Sequence, residues 1–288
     1  MKILLTGKNG QIGWELMRVL APVGEVVALE RDALDLAVPE QIVSAVRSVR
    51  PDLIVNAAAY TNVDRAEAEP EVAMQVNGVA PAILAEESRR LGALLIHYST
   101  DYVFDGTKPT AYVETDPPNP INSYGRSKLE GERAIQANGC RHLILRTSWV
   151  YGMRGRNFLL TILRLARELP ELRVVDDQLG CPTWCRDVAV ATAELIGKVS
   201  TERAGGLFHL ASKEATTWHG FAIEILRALG NETPVRAIPT TEYPTPTRRP
   251  SNSALSSRAI ADRWGVELPG WDRSLLRCLG ETISANSP

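Results

Sequence analysis

The chain has 288 residues, 44% of them apolar and 23% charged, which suits a globular protein large enough for one extended core and a smaller lobe. A formal net charge of −2 argues against nucleic-acid or membrane-surface binding, since either would need a basic footprint. No apolar stretch approaches the roughly 20 residues that span a bilayer. The opening MKILLTG is too short for a signal-peptide core and reads as a first strand, so the expected location is the cytoplasm.

In chain order, Lys2 to Thr6, Glu25 to Leu29, Asp52 to Asn56, Ala93 to Ser99 and His142 to Thr147 read as strands apolar on both faces. Helical patterns begin near Gln11, Pro39, Glu71 and Ser123. This alternation predicts an α/β fold, a doubly wound parallel sheet of Rossmann type. Farther on, Phe158 to Glu168 reads as a helix, Leu172 to Val175 as a strand and Asp176 to Thr183 as a loop. A helix from about Asp187 to Lys198 and a strand at Phe208 to Ala211 follow. The stretch from Pro239 to Pro250 holds four prolines and reads as irregular, and Ser284 to Pro288 as a frayed end. The expected division is a dinucleotide-binding domain over 1–172 and a smaller, mainly substrate-binding domain over 173–288, with some interleaving.

The first strand runs into Gly7-Lys8-Asn9-Gly10-Gln11-Ile12-Gly13, a G-x-x-G-x-x-G loop opening a helix. Glycines there permit a tight turn, backbone approach to a pyrophosphate and close helix–strand packing, and the helix N-terminus meets the phosphates. Glu30, after the second strand, suits ribose hydroxyls, whereas the adjacent Arg31 suits a 2′-phosphate, leaving NADH and NADPH both open. Asp35 and Leu36 are candidates for the adenine pocket, and Ala59, Tyr60 and Thr61 for the nicotinamide side.

Tyr124 and Lys128 form Y-x-x-x-K, which puts both side chains on one helical face. Reducing a ketone needs a proton donor at the oxygen while hydride reaches the carbon. An ammonium beside the phenol would lower its pKa toward neutrality. Thr100 ends the fourth strand, at the sheet edge where ligands bind, and can contact the same carbonyl. The four cysteines read as buried thiols, Cys181 and Cys185 lacking a second pair for zinc, and His97 reads as a packed strand residue.

Thr, Tyr and Lys in this order resemble the short-chain dehydrogenase/reductase superfamily. GKNGQIGWEL, NAAAYTNVDRAE, STDYVFDG, NSYGRSKLEGE, RTSWVYG, GCPTWCRDVA and RRPSNSAL together resemble the dTDP-4-dehydrorhamnose reductase family, from residue 1 to about residue 275. The resemblance implies reduction of a dTDP-linked 4-keto sugar by NADH or NADPH in dTDP-L-rhamnose synthesis. Tyr124 would donate the proton, Lys128 would support it and Thr100 would tune the oxygen contact. Gly10, Gln11, Ile12, Glu30, Asp35, Leu36, Ala59, Tyr60 and Thr61 would touch the cofactor, and Thr100, Asp101 and Trp149 the sugar nucleotide. Arg248 and Arg249 could meet its diphosphate or stay solvated. Some members hold a metal ion between subunits on acidic side chains. Glu15 fits one such position but Arg186 stands at another, so no metal is expected, and a homodimer by that route is put in doubt. Dehydratases carry Asp-Glu directly after the active-site Thr, whereas Asp101 is followed by Tyr102. The alternatives are another nucleotide-sugar reductase or epimerase of this fold, or a non-catalytic dinucleotide-binding subunit.

Overall fold

The computed structural model describes residues 1–199 and 205–285. Among these, six parallel strands pair in the order β10-β5-β4-β3-β1-β2. They are β1 (Lys2–Thr6), β2 (Glu25–Leu29), β3 (Leu53–Asn56), β4 (Leu94–Thr100), β5 (His142–Thr147) and β10 (Gly206–His209). Every residue of β3 and β4 is buried, as expected for strands covered on both faces. The connections turn back at β1, so β1 and β3 part at their carboxyl ends and open the crevice where such sheets bind ligands.

One face is covered by α1 (Gln11–Leu20), α8 (Cys185–Val199) and α10 (Arg258–Trp264), whose Leu16, Leu195 and Ile260 pack on Leu5, Val55 and Ile96. The other face carries α2 (Pro39–Val49), α5 (Ala80–Leu91) and α6 (Ser123–Asn138), with Ile42, Leu84 and Ile135 over Leu4, Ile54 and Leu95. Pro39 opens α2 at a position whose amide needs no partner, and Gly139 ends α6 at φ 75°.

A second core gathers α7 (Phe158–Glu168), β7 (Leu172–Val175), α9 (Trp218–Ala228) and α11 (Trp271–Ala285) around Leu159, Leu172, Phe221 and Leu275. Beside it lie β6 (Val150–Tyr151), β8 (Leu179–Gly180), β9 (Thr183–Trp184), β11 (Thr216–Thr217) and β12 (Val235–Ile238). Thus α8 and β10, both beyond residue 172, rejoin the first sheet.

Several expectations are corrected. The loop over Asp176 to Thr183 contains β8 and the start of β9, and the strand expected at Phe208 to Ala211 runs Gly206–His209. Within Pro239 to Pro250 one 3-10 turn forms at Thr240–Glu242. Helix α3 (Val63–Ala68), capped by the Asn62 side chain, precedes α4 (Pro70–Met74). Helix α11 reaches Ala285, so the end expected to fray from Ser284 is helical there, and 286–288 lie outside the described residues. No helix among the described residues is long and apolar enough to cross a membrane.

Candidate active site

The glycine loop at the crevice tolerates no side chain at two of its positions. Gly7 has φ +72°, and a Cβ there would sit 2.6 Å from Ala58 N; a Cβ on Gly13 would sit 2.1 Å from Gly7 O. Gly10 caps α1 without any side-chain acceptor, so first-turn amides remain for an anion. Gln11 turns sideways, donating to Val150 O at 3.3 Å and accepting from Asn157 Nδ2 at 2.8 Å. Ala59, Tyr60 and Thr61 follow β3, and the Tyr60 amide donates to Asn77 Oδ1 at 2.8 Å. Asn77 in turn donates to Ser127 Oγ at 3.0 Å, tying this turn to α6.

The two residues expected to choose the cofactor are each partnered. Glu30 pairs with Lys8 at 2.9 Å, which lowers its pKa, and Arg31 pairs with Asp35 at 3.2 Å. Asp35 also accepts from Ala37 N at 2.9 Å, while Leu36 is buried in the core against the sheet. Lys8 was not singled out from the sequence, yet it stands where it can counter either Glu30 or a 2′-phosphate. Glu30→Ala is therefore expected to raise the kcat/KM ratio of NADPH over NADH several-fold, by removing the repelling charge and releasing Lys8. An unchanged ratio would sink this reading.

Asn122 caps α6 by accepting from Gly125 N at 2.8 Å, which sets the first turn carrying Tyr124. One turn on, Lys128 is fully buried; its Nζ donates to Tyr98 O at 2.6 Å and lies 3.2 Å from His97 Nε2. Burial pulls Lys128 down to about 8, with Glu132 acting against it. Tyr124 stands edge-on to Tyr102 at 5.9 Å, and its hydroxyl meets the Thr100 hydroxyl. The expected depression of the Tyr124 pKa is not found. Burial raises it to about 12, the Thr100 contact only partly opposing, because the lysine is turned inward toward Tyr98 and His97.

Thr100 also donates to Asp101 Oδ1 at 3.0 Å and accepts from Tyr102 N at 3.1 Å. Asp101 is buried, and burial raises its pKa to about 6 against hydrogen bonds from Ser253, Ser148 and Thr100. Ionised, it accepts the Thr100 hydroxyl's hydrogen bond and leaves that oxygen acting only as an acceptor; protonated, it can donate to Thr100 and reverse the contact. A group whose native pKa lies above its unfolded value makes folding less favourable as pH rises through that interval, here from about 4 to about 6. For activity the expectation is an acid limb of kcat/KM near pH 6, abolished in Asp101→Asn. A limb that persists in that variant assigns it elsewhere.

Of the other expected contacts, Trp149 is held at φ +45° and stacks flat on Trp218 at 3.4 Å. Gly180 makes room for it: a Cβ there would lie 2.2 Å from the indole. Trp218, donating to Gln178 at 3.2 Å, was missed because α9 was not anticipated. Arg249 pairs with Asp64 at 3.2 Å, and the Arg248 carbonyl accepts from Asn122 Nδ2 at 3.1 Å, so this segment docks beside the first turn of α6. The Arg248 side chain is exposed. Arg186 bridges Glu15 and Glu281, its guanidinium meeting both carboxylates on the far side of α1. All four cysteines are buried.

The sequence matches the family described as RmlD substrate binding domain over residues 1–283. It is 49% identical to dTDP-4-dehydrorhamnose reductase of Burkholderia thailandensis, over 99% of this chain and 100% of the relative. It is 44% identical to the enzyme of that name in Escherichia coli strain K12, with 100% of each chain covered. The solved dTDP-4-dehydrorhamnose reductase of Bacillus anthracis, in complex with NADP, superposes with a TM-score of 0.91 at 34% identity, over 97% of this chain and 99% of that one. The Clostridium acetobutylicum ortholog gives 0.93 at 35%, over 98% and 100%. The fold itself is shared more widely, as with UDP-glucose 4-epimerase of Thermus thermophilus at 24% identity and a TM-score of 0.82, covering 99% and 100%. On these matches, which run the length of the chain, the protein belongs to the dTDP-4-dehydrorhamnose reductase family.

Proposed function

We propose that the protein reduces the C4 keto group of dTDP-4-dehydro-L-rhamnose to dTDP-L-rhamnose with NADPH or NADH, in dTDP-rhamnose biosynthesis in the cytoplasm. The observation that carries this reading is the meeting of the Thr100 and Tyr124 hydroxyls at the carboxyl end of β4, with Lys128 buried one helical turn on, in a chain whose glycine loop leaves no room for side chains at Gly7 and Gly13. The cradle fits a dinucleotide: Gly7, Gly10, Gln11, Ile12 and Gly13 would hold the pyrophosphate and Ala59, Tyr60 and Thr61 would border the nicotinamide ribose. Glu30, Arg31, Asp35 and Leu36 would surround the adenosine. The bound cofactor supplies hydride. Tyr124 keeps its phenolic proton until the ketone oxygen gains charge and then donates it. Thr100, whose hydroxyl donates to Asp101 and meets that of Tyr124, positions the phenol for this step, and the buried Lys128 ammonium offsets the negative charge left on the phenolate.

The division into a cofactor domain over 1–172 and a mainly substrate-binding remainder stands as part of this proposal, with α8 and β10 lent back to the first. Asp101 and Trp149 would contact the sugar nucleotide. Arg248 and Arg249, on the segment docked against Asp64 and Asn122, would face its diphosphate; a raised KM for the sugar nucleotide with unaltered Kd for NADPH in the double alanine variant tests this. Homodimerisation is read from light scattering.

The decisive assay compares turnover of dTDP-4-dehydrorhamnose with its UDP and GDP counterparts, using NADH and NADPH in parallel. Turnover of the dTDP sugar is the expected result. Cofactor binding without oxidation by any keto sugar would instead indicate a dinucleotide-binding subunit.

A further inference from the structure

His97 lies on β4, beneath Lys128 and outside the residues assigned above. Its Nε2 is 3.2 Å from Lys128 Nζ and its Nδ1 accepts from Asn56 Nδ2 at 3.0 Å. Asn56 accepts from Thr6 Oγ1 at 2.7 Å, and Thr6 Oγ1 accepts from Ala58 N at 3.3 Å. Thr6, Asn56, His97 and Lys128 are between 1% and 2% exposed, so this row is dry. It crosses the sheet from the end of β1, through the end of β3, to β4 and α6. It therefore passes under the crevice where β1 and β3 part.

The proton inventory makes the row directional. A lysine ammonium only donates, so beside charged Lys128 the Nε2 atom accepts and Nδ1 carries the ring proton. Asn56 then presents its amide oxygen to Nδ1. With Lys128 neutral, its lone pair can accept from Nε2–H, Nδ1 accepts from the Asn56 nitrogen, and the Asn56 oxygen accepts from Thr6. The structure shows the second placement of the Asn56 amide; the charged-lysine arrangement differs from it by a tautomer and a half-turn of that amide. Burial, with the Lys128 charge adding to it, holds His97 well below the ordinary histidine range, so an imidazolium does not enter.

We propose that His97, steadied by Asn56 and Thr6, is a positioning residue that holds Lys128 Nζ in place and stabilises its charged form. The inference rests on the catalytic reading of Lys128 given above. The other groups facing Lys128 are few. On α6 they are Tyr124 one turn before and Glu132 one turn after, the latter paired with Arg146 of β5 at 2.6 Å. On β4 it is the Tyr98 carbonyl, which accepts from Nζ at 2.6 Å. Glu132 favours the ammonium and burial disfavours it, leaving Lys128 near 8. With the balance so close, losing one acceptor should tip it toward the neutral amine.

The test uses His97→Leu, His97→Gln, Thr6→Val and Lys128→Met, each assayed for kcat against pH, KM for the sugar nucleotide, Kd for NADPH and Tm. In His97→Leu the alkaline limb of kcat should move to lower pH by about one unit, and kcat at pH 8 should fall about fivefold, with KM little changed. His97→Gln, which retains an acceptor, should recover most of this. Thr6→Val should shift the limb in the same direction by less, and it carries the test with His97→Gln if the leucine variant does not fold. A packing role alone would lower Tm and leave the limb where it is in the parent. Parental limbs in all His97 and Thr6 variants, with Lys128→Met inactive, would overturn this inference alone. Full turnover by Lys128→Met would overturn the catalytic reading on which it rests.

Discussion

Replacing Tyr124 by Phe is expected to lower kcat for the dTDP-linked keto sugar about 10²–10⁴-fold while Kd for NADPH stays near the parent value. The ring survives the change, so its edge-on contact with Tyr102 and the packing of the first turn of α6 persist. What disappears is the hydroxyl that meets Thr100. Because burial holds the phenol at about 12, it remains protonated across the ordinary assay range. It is thus present in the acid form that a ketone reduction needs, not as the base that alcohol oxidation would need. Charge arriving on the ketone oxygen is what would draw the proton off, and the phenolate left behind would need the positive charge of Lys128, one helical turn on. Single-turnover mixing with NADPH separates chemistry from binding: a normal binding phase followed by a slowed oxidation phase is the expected pattern. Oxidation at the parent rate would remove Tyr124 from the donor role.

The first half of the fold was readable because each of its elements advertises itself locally. Continuous apolar runs in β3, β4 and β5 admit only strands buried on both faces, and Gly7 to Gly13 between β1 and α1 has one structural use. Tyr124 and Lys128 could be placed on one face from helical period alone. The second lobe was less legible because its elements are defined by partners distant in sequence. The two-residue strands β8 and β11 pair with each other across a long stretch of chain, and Phe221 of α9 needs Leu159 and Leu172 to show which face is inward. Trp149 stayed ambiguous for the same reason, since Trp218, on which it stacks, is far along the chain.

His97 could have been found from period. In β4, Leu95, His97 and Ser99 share one face, and α6 covers it; on α6, Tyr124, Lys128 and Glu132 recur every fourth residue. The pairing of His97 with Lys128 is seen at 3.2 Å, and Glu132 meets Ser99 of the same strand face at 2.5 Å. Read as one residue in an apolar run, His97 looked like packing. Read as part of a polar stripe facing a polar helix, it points to the lysine. The expected lowering of the Tyr124 pKa failed for a related reason: the i,i+4 spacing says that two side chains share a face, not which neighbours the longer one will choose.

That polar stripe also carries the largest expected effect on stability. Arg146 of β5 and Glu132 of α6 form a two-pronged ion pair, with Nε to Oε1 at 2.8 Å and Nη2 to Oε2 at 2.6 Å. The side chains are 4% and 1% exposed, so neither charge is solvated. Ser99 completes the carboxylate at 2.5 Å, and the Arg146 guanidinium lies 5.1 Å over the Phe104 ring. Arg146→Met keeps much of the apolar stem but leaves Glu132 buried with a hydroxyl as its remaining strong partner. Breaking such a pair from one side typically costs about 3–5 kcal/mol, whereas replacing both charges by neutral groups is often close to neutral. Arg146→Met is therefore expected to lower the unfolding free energy by about that amount, and Glu132→Gln added to it should recover most of the loss. The pair also borders Lys128, whose ammonium Glu132 already favours. An uncompensated carboxylate would hold the lysine proton more tightly, so the alkaline limb of kcat in Arg146→Met should move to higher pH, opposite to the shift expected for His97→Leu. Denaturant unfolding of the single and double variants, with kcat–pH profiles on the same samples, measures both effects. A double variant no more stable than Arg146→Met would show that the loss comes from packing around Phe104 rather than from the stranded charge, and an alkaline limb unmoved in Arg146→Met would show that Glu132 does not govern the lysine.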